Sequence, residues 1–254
     1  MSAKTALLLA TAVFVLTVLV RLPAGVVTPW LPAALRCQGV AGTVWHGSCA
    51  QVGAGSLALQ DVRWTLQPLP LLAARAALDL QSNDARAAGH AQLVLHPGGD
   101  IVIRGLDATL PLQGGLSLLP PGWSGTLTLA VPGALIRAGH VAALEGVLTV
   151  RELRSEYPAA DLGSFELDFP APRTAAPPAE ATGPGPAPII GAARDLAGPL
   201  ALQGVVKLWP DGRYELGGTL AARSAASPGL QQLVLLFGPP DAQGRHAFSL
   251  AGTY

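Results

Sequence analysis

The sequence has few charged residues, and the charges that it has are balanced. Only 13% of its 254 residues are Asp, Glu, Lys or Arg, and 16 basic residues offset 16 acidic ones. Lysine is scarce, since Lys4 and Lys207 are its two occurrences. A chain that binds nucleic acid through the phosphates concentrates basic residues on one surface. The composition therefore argues against a nucleic-acid partner.

Catalytic and metal-binding patterns are also missing from the sequence. The five histidines are dispersed, so no set of four donors has the spacing of a zinc site. The sequence has no Gly-x-Ser-x-Gly nucleophile motif and no phosphate-binding glycine loop before a helix. Its carboxylates are scattered and show no paired-acid pattern of the glycosidase kind. We therefore expect no enzymatic activity, no metal and no cofactor.

The N-terminal segment is apolar and resembles a membrane anchor. Residues 5–20 contain no charge and lie between Lys4 and Arg21. As a helix they cover roughly 24 Å, and flanking side chains that extend toward the headgroups bring this close to the ~30 Å hydrocarbon core. A cleaved signal peptide is the alternative, but residues 22–24 make a poor cleavage site. We predict an uncleaved anchor over residues 1–24, with the rest of the chain exported.

The chain's two cysteines, Cys37 and Cys49, follow soon after this segment. Two thiols this close together in an exported domain favour a structural disulfide over a metal site or a Cys–His nucleophile. The sequence Gly-Thr-Val-Trp-His-Gly, which lies between them at 42–47, is typical of β structure. We predict that the disulfide links the first hairpin, where it contributes on the order of 3 kcal/mol in the chain-entropy model.

Alternation of polar and apolar residues recurs from the first cysteine to the C-terminus. It predicts about eleven to fourteen strands in an antiparallel meander, with a β-bulge at Gln60 and Asp61, where the alternation changes phase. Near 228–237 the apolar spacing becomes helical, with Ser227 as N-cap and Gly238 as the end. The predicted fold is mainly β: a single N-terminal transmembrane helix, then an extended, curled antiparallel sheet, half-barrel or groove-like, with one short C-terminal helix.

The predicted organisation has four parts. Residues 1–24 form the anchor, 25–169 the first part of a periplasmic β domain, 170–195 a flexible loop rich in Pro and Ala, and 196–254 the C-terminal part of the β domain. Seven prolines lie between residues 170 and 188, a composition that cannot form a core or a strand ladder. Apolar runs such as 69–72 and 101–103 are expected to line the inner face of the sheet.

Several motifs, taken in order, resemble those of the N component of bacterial type II secretion systems. They are the N-terminal apolar segment, the 39–47 block, Val62–Pro68, Leu162–Gly163, Asp211–Tyr214, Leu230–Gly238, Pro239–Asp241, Gly244–Arg245 and Gly252. The positions that we assign as structural residues of this family are Gly42, Thr43, Trp45, Gly47, Trp64, Pro68, Gly212, Tyr214, Gly238 and Gly244. The Gly-Thr-x-Trp and Trp-x-Leu-x-Pro elements are also similar, more weakly, to AsmA-like envelope proteins associated with lipid movement. The cysteine pair is not part of the family pattern.

The resemblance implies a single-pass protein of the bacterial inner membrane with its C-terminal domain in the periplasm. Its implied role is non-catalytic: scaffolding or linking the inner-membrane platform and the outer-membrane secretin. The implied partners are other type II secretion proteins, with no nucleic acid and no cofactor. The alternative role is an AsmA-like lipid-binding or lipid-transfer module, in which a curled sheet shields acyl chains.

Overall fold

The protein is an antiparallel β meander. The structure, a computed structural model, describes residues 3–26, 35–54, 57–84, 87–112, 122–157, 159–171 and 187–253. Within these ranges, thirteen strands form one open sheet in which each strand pairs with its neighbours in sequence. The strands are β1 (Leu35–Gly42), β2 (His46–Ala54), β3 (Leu57–Gln67), β4 (Ala76–Asp84), β5 (Ala87–Leu95), β6 (Ile101–Pro111), β7 (Trp123–Arg137), β8 (His140–Ser155), β9 (Ala160–Phe169), β10 (Ile189–Ala197), β11 (Leu200–Leu208), β12 (Arg213–Ala222) and β13 (His246–Thr253). The predicted mainly-β meander is confirmed.

Three α-helices accompany the sheet in the described ranges. They are α1 (Ala3–Val20), α2 (Pro68–Leu71) and α3 (Pro228–Leu235). The side chains described in α1 are all exposed. Nowhere in the described ranges is a helix both long enough and apolar enough to cross a membrane. The predicted transmembrane helix is therefore not confirmed.

One face of the sheet is apolar across all thirteen strands. Because cross-strand partners in a ladder lie on the same face, the register defines a continuous row from β1 to β13. The row consists of Val40, Cys49, Val62, Ser82, Gly89, Ala108, Leu129, Leu148, Leu167, Ala193, Gly204, Gly218 and Phe248. Ser82 is the one polar member of this row. We call this side the apolar face.

The opposite side of the sheet is polar. The row displaced by one residue contains Ser48, Arg63, Gln81, His90, Asp107, Asp168 and Ser249, interspersed with small or branched apolar residues. A sheet with one apolar and one polar side has the alternation expected when only one side is removed from water. We call this side the polar face.

The buried core lies in the C-terminal half of the sheet, where α3 packs on the apolar face. Leu230 is 0% exposed, and Val234 is also buried, together with Leu162, Leu200 and Leu220 of the neighbouring strands. Ser227 caps α3, because its Oγ accepts a hydrogen bond from Leu230 N (3.3 Å). The predicted C-terminal helix is confirmed and ends two residues before the predicted limit of 237. In the N-terminal half, Leu78, Leu93 and Ile103 on the apolar face are only partly buried.

The structure corrects two local predictions. Residues 189–195, which the sequence assigns to the flexible loop, belong to β10, because Ile189, Gly191 and Ala193 alternate correctly for the apolar face and pair with β11. The segment 69–72, predicted on the apolar face, instead forms α2 and the turn that follows it, since its prolines cannot donate to a strand ladder. Residues 172–186 of the predicted loop lie outside the described residues.

Candidate functional site

The 42–47 block forms the tight turn between β1 and β2. Gly42 has φ +86°, and Thr43 N donates to His46 O (2.8 Å), so the block reverses the chain direction. Trp45 Nε1 donates to Leu19 O in α1 (2.8 Å), which ties the N-terminal helix to the start of the sheet. The turn is thus a structural joint between α1 and the first hairpin.

Trp64 and Gly47 form a cross-strand pair beside this turn. The indole lies over the glycine, and its Nε1 donates to Val44 O (3.2 Å), which holds the ring against the turn. Pro68 then ends β3 and occupies the first helical position of α2, where its missing N–H is tolerated. Trp64 and Pro68 therefore fix where the third strand sits and where it ends.

The disulfide joins Cys37 of β1 to Cys49 of β2, with 5.9 Å between their Cα atoms. Cys37 pairs with Val52 and Cys49 pairs with Val40, so the two cysteines are three positions apart along the ladder. In a regular strand an odd offset places side chains on opposite faces. Gly39 between them has φ +70°, and this irregularity brings both cysteines to the apolar face. The predicted linkage of the first hairpin is present.

The Asp211–Tyr214 motif forms the turn between β11 and β12. Gly212 has φ +87° and donates its N–H to Trp209 O (3.0 Å). Asp211 accepts hydrogen bonds from Arg213 N (3.1 Å) and Arg213 Nε (2.7 Å). The backbone bond from Arg213, followed by its side chain, lowers the pKa of Asp211 from its ordinary value. The Tyr214 ring lies over Gly252 in β13, where a Cβ would come within 2.8 Å of it.

A second turn, with the sequence Asp-Ala-Gln-Gly-Arg at 241–245, precedes β13. Asp241 accepts hydrogen bonds from Gln243 N and Arg245 N (both 2.8 Å), and Gly244 has φ +76°. The backbone bond from Arg245 is the main reason that the pKa of Asp241 is lowered. Gly238, at φ +98°, ends the helical segment. These residues organise two turns at the C-terminal end of the sheet.

His246 fixes the start of β13 against the end of α3. It is 5% exposed, and its Nδ1–H donates to Gly238 O (2.6 Å). Beside it the rings of Phe237 and Phe248 meet edge to face, with centroids 6.4 Å apart. The ten positions assigned from the sequence thus lie at turns, at the start of α2 or in contacts between an aromatic ring and a glycine. Among the described residues, no three carboxylates, histidines or cysteines come together as a metal site.

One partly buried ion pair, between Asp195 and Arg223, lies at the strand ends near α3. Asp195 accepts a hydrogen bond from Leu202 N (2.9 Å) and another from Arg223 Nη2 (2.5 Å), and its side chain is 16% exposed. Burial by itself would raise the pKa of Asp195, but the bonds from Leu202 and Arg223 outweigh it, so the pKa is lowered. Arg223 also donates to Gly198 O (2.7 Å). The ion pair therefore connects the end of β12 to the turn between β10 and β11.

The two edges of the sheet differ. Alongside β1, Pro23 forms a bridge with Thr43, and Val44 N donates to Leu22 O (2.9 Å), so the chain before the sheet covers part of this edge. Among the described strands, β13 has only β12 as a neighbour. Its sequence, His-Ala-Phe-Ser-Leu-Ala-Gly-Thr, contains no charged residue and no proline. Natural edge strands usually carry such residues, which prevent pairing with other chains.

Comparison with known proteins identifies the family. A family model described as type II secretion system (T2SS), protein N matches residues 33–249. The chain belongs to the type II secretion system protein N family. The type II secretion system protein N of Vibrio cholerae serotype O1 is 26% identical over 260 residues, covering 96% of this chain and 96% of that protein. No solved structure matches the chain. The resemblance found in the sequence motifs is confirmed.

Sequence reasoning did not single out the β13 edge or the exposed leucines near α2. A meander makes its last strand an edge strand, and the absence of charge in 246–253 is the signal that distinguishes this edge. The exposed leucines of α2 were assigned to the sheet interior. Their signal is the spacing of Pro68 and Pro70, which excludes a regular strand.

Proposed function

We propose that this protein is a non-catalytic component of the type II secretion machine that docks onto another component through the β13 edge. Family membership supports the assignment to this machine. The observation that carries the docking role is the charge-free edge of β13, where free backbone groups can pair with an added strand. Partners on the inner-membrane platform or the secretin would then extend the sheet without any chemical reaction.

The residues beside this edge suit an added strand. Leu250 on the apolar face is 54% exposed, and Leu236 and Phe237 after α3 are 84% and 44% exposed. An exposed apolar group next to an unpaired edge supplies side-chain contacts to a strand that the backbone aligns. A partner segment with apolar residues at alternate positions would bury this group.

We also propose that α1 attaches the chain to the inner membrane, with the sheet on the periplasmic side. Apolar side chains such as Leu7, Val13 and Phe14 are 60–70% exposed. The hydroxyls of Thr11 and Thr17 donate to the carbonyl oxygens four residues earlier (2.9 and 2.7 Å), so they are satisfied without water. A helix that exposes apolar groups in this way is unfavourable in water and favourable in lipid. The disulfide supports a compartment that is oxidising.

A lysine at the edge tests the docking role. Ser249→Lys places a charge at the centre of β13, whereas Gln203→Lys places one on the polar face of β11, away from any edge. In cells that lack the native protein, we expect Ser249→Lys to reduce both secretion and co-purification with platform or secretin components, and Gln203→Lys to preserve both. Normal secretion and normal co-purification with Ser249→Lys would refute edge docking.

Lipid binding is the second candidate function, and the apolar face supports it. The thirteen-strand apolar row offers a continuous hydrophobic track, and its N-terminal half is only partly buried. Leu93→Asp would interrupt the track, while Gln81→Asp changes the polar face. Phospholipid recovered in stoichiometric amount with the purified protein, and lost in Leu93→Asp alone, would favour this function over docking.

A further inference from the structure

The connection between β3 and β4 exposes three leucines. Residues 68–75, which we call the leucine turn, comprise α2 and the residues that follow it. Leu69 is 77% exposed, Leu71 is 39% exposed and Leu72 is 88% exposed. Apolar side chains that cluster at the surface in this way mark a contact site.

Hydrogen bonds connect this turn to the end of α1. Leu66 N donates to Trp45 O (2.8 Å), and the indole of the same Trp45 donates to Leu19 O (2.8 Å). α2 begins at Pro68, two residues after Leu66. The leucine turn and the C-terminal end of α1 therefore lie at the same end of the strands, separated by one tryptophan. By contrast, α3 follows the end of β12, which the alternating meander places at the opposite end.

The backbone of the leucine turn is suited to a lipid environment. An N–H group without a partner costs several kcal/mol in hydrocarbon. Four N–H groups of this turn are satisfied internally, from Leu72 to Leu69 O, from Ala73 and Arg75 to Pro70 O, and from Ala74 to Leu71 O, at 2.9–3.2 Å. Pro68 and Pro70 have no N–H to satisfy. The turn can leave water with little loss of backbone hydrogen bonding.

The charges near the turn favour an anionic surface. Arg75 is exposed three residues after Leu72, and Arg21 is exposed directly after α1. No acidic residue stands between Asp61 and Asp79 in the sequence. Asp79 accepts hydrogen bonds from Gln67 Nε2 (2.8 Å) and Gln92 Nε2 (3.0 Å). Exposed arginines beside apolar groups are the pattern that binds anionic lipid headgroups at a membrane interface.

We propose that the leucine turn is a second lipid contact, which inserts into the membrane interface next to α1. Leu69 and Leu72 enter the acyl boundary, and Arg75 binds the headgroups. Two contacts at one end of the strands fix the orientation of the sheet, with its strand ends toward the bilayer and α3 away from it. This inference rests on the proposed attachment of α1 to the membrane.

A fluorophore at Leu72 tests the insertion. Because the native cysteines form a disulfide, Leu72→Cys supplies the free thiol for an environment-sensitive dye on the full chain. Leu236→Cys is the matched control, since Leu236 is equally exposed (84%) at the opposite end of the strands. Both labelled chains are reconstituted with vesicles of phosphatidylethanolamine and phosphatidylglycerol and separated by flotation. We expect a blue shift and quenching by nitroxide lipid for Leu72→Cys, and neither for Leu236→Cys.

The outcomes separate the two proposals. If the labelled chain floats with the vesicles but the dye at position 72 stays in water, the second contact is wrong while the attachment through α1 stands. If the chain does not float, both the attachment and the second contact are wrong. Equal blue shifts at positions 72 and 236 would also overturn the proposal, because they would show that the contact is not specific to the leucine turn. Arg75→Glu should shift the dye at position 72 back toward its aqueous emission.

Discussion

The indole of Trp64 lies on Gly47 so closely that no side chain fits between them. A Cβ added at position 47 would stand 2.1 Å from Trp64 Cζ2, well inside van der Waals contact. The two residues face each other across β2 and β3. An aromatic ring over a cross-strand glycine covers the backbone that the glycine leaves bare. This contact explains why a glycine follows the Thr-Val-Trp-His sequence.

We therefore expect Gly47→Ala to destabilise the protein by about 1–3 kcal/mol, because the ring must move or the strand must bend. Chemical denaturation followed by tryptophan fluorescence would measure the change. Gly53→Ala is the matched control in the same strand, since the nearest atom to its Cβ would be 3.8 Å away. Equal effects of the two substitutions would show that the Trp64 contact does not limit residue 47.

Opening the disulfide should loosen the first hairpin. The bridge closes a segment with a sequence separation of 12, for which the chain-entropy model gives about 3 kcal/mol. Adding reductant should lower the melting temperature of the native chain and leave that of Cys37→Ser/Cys49→Ser unchanged. Alkylation without prior reduction should give no change in mass. Ready modification of both thiols in unreduced material would contradict the disulfide.

The Asp195–Arg223 pair should make stability depend on pH at the acid end. The pKa of Asp195 is lower in the folded protein than its ordinary value, so the carboxylate stabilises the fold above the unfolded pKa. That contribution is lost as the pH falls below about 4 and through the folded pKa. Asp195→Asn should therefore be less stable than the native chain at neutral pH and closer to it in acid, as measured by urea denaturation at several pH values.

Removing the arginine tests the same pair from the other side. Arg223→Ala leaves the carboxylate of Asp195 with the bond from Leu202, at a cost of about 1–2 kcal/mol, a value reduced because Arg223 is partly exposed. The control is Arg63→Ala, whose ion pair with Asp61 is exposed on both sides and should change stability little. A large loss in Arg63→Ala and none in Arg223→Ala would reverse this ranking.

The packing of α3 should depend on Leu230. Its side chain is 0% exposed, so Leu230→Ala leaves a cavity and should cost about 2–5 kcal/mol. Leu236→Ala removes the same atoms from a side chain that is 84% exposed and should cost little. Thermal unfolding of both variants measures the difference. Similar melting temperatures would mean that α3 contributes little to the stability of the core.

The sequence predicted the features that depend on local rules. Alternation gave the meander, and Ser227 and Gly238 marked the short helix. At the predicted bulge Asp61 has a positive φ (45°), but the ladder between β2 and β3 keeps its register there. Whether a segment is buried or exposed depends on which other segments pack against it, and local rules do not predict this. An apolar run such as 69–72 is compatible with a buried strand and equally with an exposed turn. Only the neighbouring Pro68 and the Pro70 within it distinguish the two.

The candidate surfaces illustrate the same limit. The motif glycines were assigned as structural from the family resemblance, and Gly42, Gly212, Gly238 and Gly244 have the positive φ that favours glycine. The predicted meander makes β13 an edge strand, and the absence of charge in 246–253 is a second sign of this. Which segment of another protein pairs with this edge is a property of the assembly, so a residue such as Ser249 gives no sign of the partner.

The order of the strands in the sheet follows their order in the sequence, and this affects how the chain can fold during synthesis. Every ladder among the thirteen described strands joins strands that are consecutive in sequence, so each of these strands can pair before a distant segment has been made. A polypeptide that emerges N-terminus first can therefore add each strand to a growing edge as soon as it appears, with low entropic cost for each closure. Under such synthesis or translocation, the disulfide locks the first hairpin early.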